Sequence, residues 1–161
     1  MKSAASLKEQ LPGLSGADPR HVQSSQTPLA AEEPARPSLR LQLFLAPDLP
    51  LVPGFGLDLQ RLCTFLLTNA ARALGSEGGD ITVRTERQAG KVLLAIDDSG
   101  LAPPPEVLPQ LFELHVTGRE GTNKLELAAC RTLVRRLQGT IRAANRAEGG
   151  LTITVEIPVA G

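Results

Sequence analysis

"DITVRTERQAGKVLLAIDDSG" (residues 80–100) decides the fold. Ile81, Val83 and Thr85 alternate with polar residues, "QAG" turns the chain, and Val92, Leu94 and Ile96 alternate again. Period-two patterning on both sides of a Gly-containing turn predicts a β-hairpin with one buried face. Asp98 stands two residues beyond Ile96, in register with that inward face, whereas Asp97 is expected to face solvent. A carboxylate turned inward at a strand end is costly unless something donates to it.

Upstream, "LRLQLFLA" (39–46) alternates Leu39, Leu41, Leu43 and Leu45 with Arg40, Gln42 and Phe44, a strand pattern with one face buried. After the Pro/Gly loop "PDLPLVPGFG", the stretch 57–74 carries Leu59, Leu62, Cys63, Leu66, Leu67 and Ala70 at helical spacing. Asp58 is its expected N-cap and "GSEGG" its stop. Downstream, "LAPPPEVLPQLFEL" predicts a Pro-rich loop and a short helix. "KLELAACRTLVRRLQG" predicts an amphipathic helix with Leu127, Cys130, Leu133, Val134 and Leu137 on its apolar face. "GTIRAANRAEGGLTITVEIP" closes the chain as a second hairpin. The order β-α-β-β-α-α-β-β, with mostly hairpin-linked strands, predicts an α+β fold. It is a two-layer sandwich in which one mixed, largely antiparallel sheet is covered by helices on one face.

Residues 1–38 are broken by Pro every few positions and show no sustained period, so a disordered tail or linker is expected there and a folded domain over 39–161. With 42% apolar residues, four Phe and no Trp or Tyr, the core must be built mainly from Leu, Val, Ile and Ala. Lys+Arg (17) and Asp+Glu (17) balance, which gives no reason to expect nucleic acid or an anionic membrane as partner. No apolar run approaches the roughly 20 residues of a bilayer span, and "MKSAASLKEQLPGL" lacks the apolar stretch of a secretory signal. A cytoplasmic location is expected. Cys63 and Cys130 each sit in a helical apolar pattern and read as buried free thiols.

Three features carry chemistry. Asn69 in "LLTNAARAL" interrupts an apolar helix face. Either it meets solvent or local backbone, or it offers a carboxamide oxygen to a hard cation such as Mg²⁺. Arg72, three residues on, shares nearly the same face and could reach a phosphate. Asp98 either caps the "PPPEVL" turn or accepts from the exocyclic amine of a purine. Third, "EGTNKLELAACRTLV" (120–134) begins as a loop and runs into a helix, where phosphates bind well if the backbone is Gly-rich. By itself this junction is ordinary. His21 in the broken tail and His115 in "FELHVTG" read as tail and loop residues rather than as acceptor, base or ligand.

Taken in order, these features resemble the ATP-binding domain of bacterial sensor histidine kinases, in the group shared with DNA gyrase, the Hsp90 chaperones and MutL. The resemblance covers residues 39–161 and implies the Bergerat-type ATP-binding fold. "LCTFLLTNAARAL" resembles the Asn-box, with Asn69 at the metal-binding Asn, Arg72 at the basic position and Phe65 in place of the first Asn. "VLLAIDDSGLAPPPEVLPQLFEL" resembles the D-x-G-x-G segment and F-box: Asp98 takes the adenine-reading position, Gly100 the first Gly and Phe112 the aromatic, while Ala102 replaces the second Gly. Thr152 stands where a Thr often neighbours the adenine.

The lid motif G-x-G-x-G departs most, with Thr122, Lys124 and Glu126 on its three glycines and Gly121 as a partial substitute. Lys124 could offset lost backbone contacts with an ionic one, and Glu126 would repel a triphosphate unless it points away. The resemblance thus implies Mg-ATP bound by Asn69, Arg72, Asp98, Gly100, Gly121, Thr122, Lys124 and Thr152, with Asn69 on the metal and no residue assigned to the chemical step. It implies γ-phosphate transfer to a His on a separate dimerisation segment, and a response regulator as partner. The altered lid leaves two alternatives: a pseudo-enzyme serving as an interaction module, or an anti-sigma-type Ser kinase.

Overall fold

The computed structural model describes residues 38–114 and 124–160; the expected tail, His115, and the Gly121 and Thr122 positions lie outside these. The elements are β1 (Leu39–Phe44), α1 (Gly56–Leu74), β2 (Gly79–Gln88), β3 (Lys91–Asp98), α2 (Lys124–Arg136), β4 (Thr140–Asn145) and β5 (Leu151–Pro158). The short helix expected after the Pro-rich loop is a 3₁₀ turn, Pro105–Gln110, with Pro109 inside it. Proline lacks the N–H that a longer α-helix would require there.

Five strands form one sheet in the order β1-β2-β3-β5-β4. β1 runs parallel to β2 and the other neighbours are antiparallel, so the sheet is mixed and mostly antiparallel, as expected. Alternation along β3 and β5 turns Leu94, Ile96, Ile153, Val155 and Ile157 to the core, where they meet the apolar stripes of α1 and α2. Leu62, Leu66, Leu127 and Leu137 are each at most 1% exposed. Such a side chain contributes on the order of 2 kcal/mol through burial.

Three local expectations are corrected. β1 has no buried face: all six of its residues are exposed. Leu41 and Leu43 pair with Ile81 and Val83 and so continue the core side, but α1 packs over β2 and β3 and leaves this edge uncovered. Asp58 is not the N-cap. The helix begins at Gly56 behind Phe55, and Asp58, buried in the first turn, is paired with Arg136 of α2 at 3.1 Å. Asp97 does not face solvent either. It is 5% exposed, because its strand is central and the polar side chains of β2 and β5 close over it.

Both cysteines are free. Burial, reinforced by the Glu126 charge, pushes the Cys130 thiol up to about 12; burial also raises that of half-buried Cys63.

Candidate functional site

The second half of α1, the end of β3 and the first turn of α2 converge on one polar region inside an otherwise apolar layer. Gly100 fixes the first contact: a Cβ there would overlap the carbonyl oxygen of Ala73, so the chain leaving β3 lies directly on the last turn of α1. The turn between β4 and β5 closes on the same strand end. A Cβ at Gly150, where φ is +91°, would overlap the Asp98 carbonyl oxygen. Arg146 donates to that carbonyl from Nη1 at 3.0 Å.

Asp98 is 3% exposed on the core face of β3, and its Oδ1 accepts the Gly100 N–H at 2.9 Å. Asn69 is 1% exposed, and neither its Oδ1 nor its Nδ2 has a partner among the described residues. A buried amide without partners costs about 1–3 kcal/mol. Neither solvent nor the described backbone satisfies this amide, contrary to the first of the two sequence alternatives.

Arg72 follows one turn later and does not wait for a ligand. Its Nη1 lies 2.6 Å from Oε2 of Glu126, in the first turn of α2. Lys124, the first residue of α2, is exposed. Among the described residues there is no cluster of three His, Cys, Asp or Glu that could hold a metal by itself.

Thr152 is not brought to this region. Its hydroxyl donates to Asp97 Oδ1 at 2.6 Å, and Arg84 reaches the other Asp97 oxygen at 2.8 Å, all on the sheet face away from the helices. The core-side neighbour across from Asp98 is Leu151, 1% exposed. Alternation in "LTITVEIP" already carried that signal, since Leu151, Ile153, Val155 and Ile157 take the core side and leave Thr152 on the other. Glu126 as the partner of Arg72 was missed as well, because no local pattern links α1 to α2.

An apolar cavity of about 380 Å³ lies under the 49–56 loop, lined by Leu59, Cys63, Val92 and Leu137 among others. It sits toward the opposite ends of α1 and β3 and has no charged lining residue, so the polar chemistry is elsewhere.

A buried strand-end carboxylate, a core-facing helix amide and a following basic residue form one constellation, and residues 55–161 match the family of histidine kinase-, DNA gyrase B- and HSP90-like ATPases. The chain belongs to that family. It is similar to the sensory histidine kinase/phosphatase NtrB of Salmonella typhimurium, 33% identical over 105 residues covering 59% of this chain and 30% of NtrB. The mycobacterial sensor histidine kinase MprB superposes with a TM-score of 0.66 at 26% identity, over 74% of this chain and 81% of that one. The histidine kinase ThkA, solved in complex with the response regulator TrrA, shares the fold with a TM-score of 0.63 at 24% identity, over 76% of this chain and 34% of that one. The histidine-kinase type of ATPase domain read from the sequence agrees with these relatives. No described helix is long and apolar enough to cross a membrane.

Proposed function

We propose that this chain binds Mg-ATP and acts as the catalytic, ATP-binding part of a cytoplasmic two-component sensor histidine kinase. The unpartnered amide of Asn69 carries this reading, because a buried group of that kind is tolerated where a ligand completes it. Asp98 reads the adenine amine. Asn69 would offer its oxygen to Mg²⁺, which would neutralise phosphate charge when bound. Arg72 meets the phosphates, with Gly121 and Thr122 contributing from the segment before α2; Lys124, on the side of α2 away from Glu126, does not reach them, and Thr152 has no part. In phosphoryl transfer of this type the protein positions and neutralises rather than forming bonds. The acceptor is a His on a separate dimerisation segment, with a response regulator next in sequence, a partner of the kind ThkA meets in its complex with TrrA.

Calorimetric titration of the full chain with ATP, with and without Mg²⁺, tests this beside Asp98→Asn. The expected result is saturable, Mg²⁺-dependent binding that the variant reduces at least about 100-fold, since it leaves a buried polar pair mismatched. A folded wild-type chain that binds nothing up to millimolar ATP would end the proposal.

One observation favours a second reading. Arg72 is already neutralised by Glu126, at a position where the family carries a lid glycine, which suits an interaction module that no longer uses ATP. An anti-sigma-type Ser kinase would use the same nucleotide site and is separated by its product, an acid-stable phosphoserine instead of an acid-labile phosphohistidine.

A further inference from the structure

The Arg72–Glu126 pair joins the second half of α1 to the first turn of α2. Arg72 lies one turn beyond Asn69 on α1, and Glu126 lies in the first turn of α2. That turn has N–H groups with no acceptor within the helix and a partial positive charge. A guanidinium and a helix N-terminus thus meet one turn from a fully buried amide that has no partner among the described residues. The chain supplies its own carboxylate there, 2.6 Å from the guanidinium.

We propose that Glu126 is a built-in anion that competes with the terminal phosphate of a nucleotide for Arg72, and so biases the site toward adenine compounds with fewer phosphates. This rests on the nucleotide reading above. The Glu126 side chain is 19% exposed, so its charge is less screened than that of a fully solvated carboxylate. Lys124 does not neutralise it, standing about 200° away around the helix and exposed to solvent. Repulsion rises with ligand charge: adenosine feels none, ADP some and ATP most. Arg72 is 43% exposed, and an ion pair of that accessibility is weak enough to open. Glu126 therefore sets a preference without sealing the site.

The test measures binding of adenosine, ADP and ATP, with Mg²⁺, to the full chain carrying wild-type, Glu126→Gln, Arg72→Gln or both changes. Glu126→Ala serves as a second variant should the Gln protein fold poorly. Glu126→Gln is expected to tighten ATP about tenfold and ADP about threefold, leaving adenosine unchanged. In the Arg72→Gln background the same change keeps the part due to direct repulsion and loses the part due to competition for Arg72, so its effect on ATP shrinks, which a merely structural role for Glu126 would not produce. Equal shifts for all three ligands, or none, while adenosine binding still depends on Asp98, overturn this inference alone. If no adenine compound binds any of these folded proteins, the nucleotide reading falls and this inference with it.

Discussion

The two walls of the candidate site are built differently. Along the strand-end wall, the backbone approaches so closely at Gly100 and Gly150 that neither tolerates a Cβ, and Asp98 is held by the Gly100 N–H. Along the helix-junction wall, charged side chains stand where glycines are expected, and Arg72 is taken by Glu126. In the proposed reading, the first wall is the one that reads a base. The second, assigned to phosphate in that reading, carries an internal ion pair between Arg72 and Glu126. Base recognition and phosphate recognition can therefore diverge separately, since one is fixed by backbone packing and the other by a few side chains at the surface.

Breaking the strand-end wall should have the largest effect. Gly150→Ala combines a φ of +91° with overlap on the Asp98 carbonyl oxygen, so either the β4–β5 turn or the end of β3 must move. A loss of about 3 kcal/mol in unfolding free energy is expected, by denaturant titration. A loss under about 0.5 kcal/mol would mean that this wall is no more rigid than the other.

Asn69 lies between the walls and should behave in the opposite sense. Asn69→Ala removes two buried, unpartnered polar atoms, so the unliganded protein is expected to gain about 1 kcal/mol while Mg-ATP binding is lost. Destabilisation would show that the amide has a structural partner after all and that the site is not held open for a ligand.

The strand-end wall was also the more legible one in the sequence. Two-residue alternation from Val92 to Ile96 placed Asp98 on the core side, and helical spacing from Leu59 to Ala70 placed Asn69 on the same apolar stripe. Those are local periodicities that packing enforces. What failed depended on contacts between elements distant in sequence. Whether the leucines of β1 are covered depends on where α1 crosses the sheet, and Asp58 found Arg136 on the other helix instead of capping its own. Glu126 could be read as a poor neighbour for phosphate, but its partner lies 54 residues away. Thr152 differs, because its placement on the outer face followed from the alternation of β5; resemblance to a family position outweighed a pattern that was there to be read.

The smallest expected effect supplies the reference for the Arg72–Glu126 pair. On the outer face of the sheet, Glu156 bonds to Lys91 at 2.5 Å and Arg142 at 2.6 Å, far from both walls. The Lys91 hydrogen bond, aided by the charges of Lys91 and Arg142, holds the Glu156 carboxyl below its ordinary range. A carboxylate depressed in the folded state contributes stability above its unfolded pKa, about 4.3 for Glu, and loses it as pH falls through the lower folded value. Glu156→Gln should therefore lower the melting temperature by no more than a few degrees at pH 7, with the difference shrinking as the solution is acidified from the unfolded value through the lower folded one. Affinity for every adenine compound should stay unchanged. Glu126→Gln should match it in this modest cost to stability, yet differ by shifting ATP against adenosine. Should the two variants leave ligand preference equally untouched, the Arg72–Glu126 pair would be a surface ion pair like any other, and the two walls would differ in packing alone.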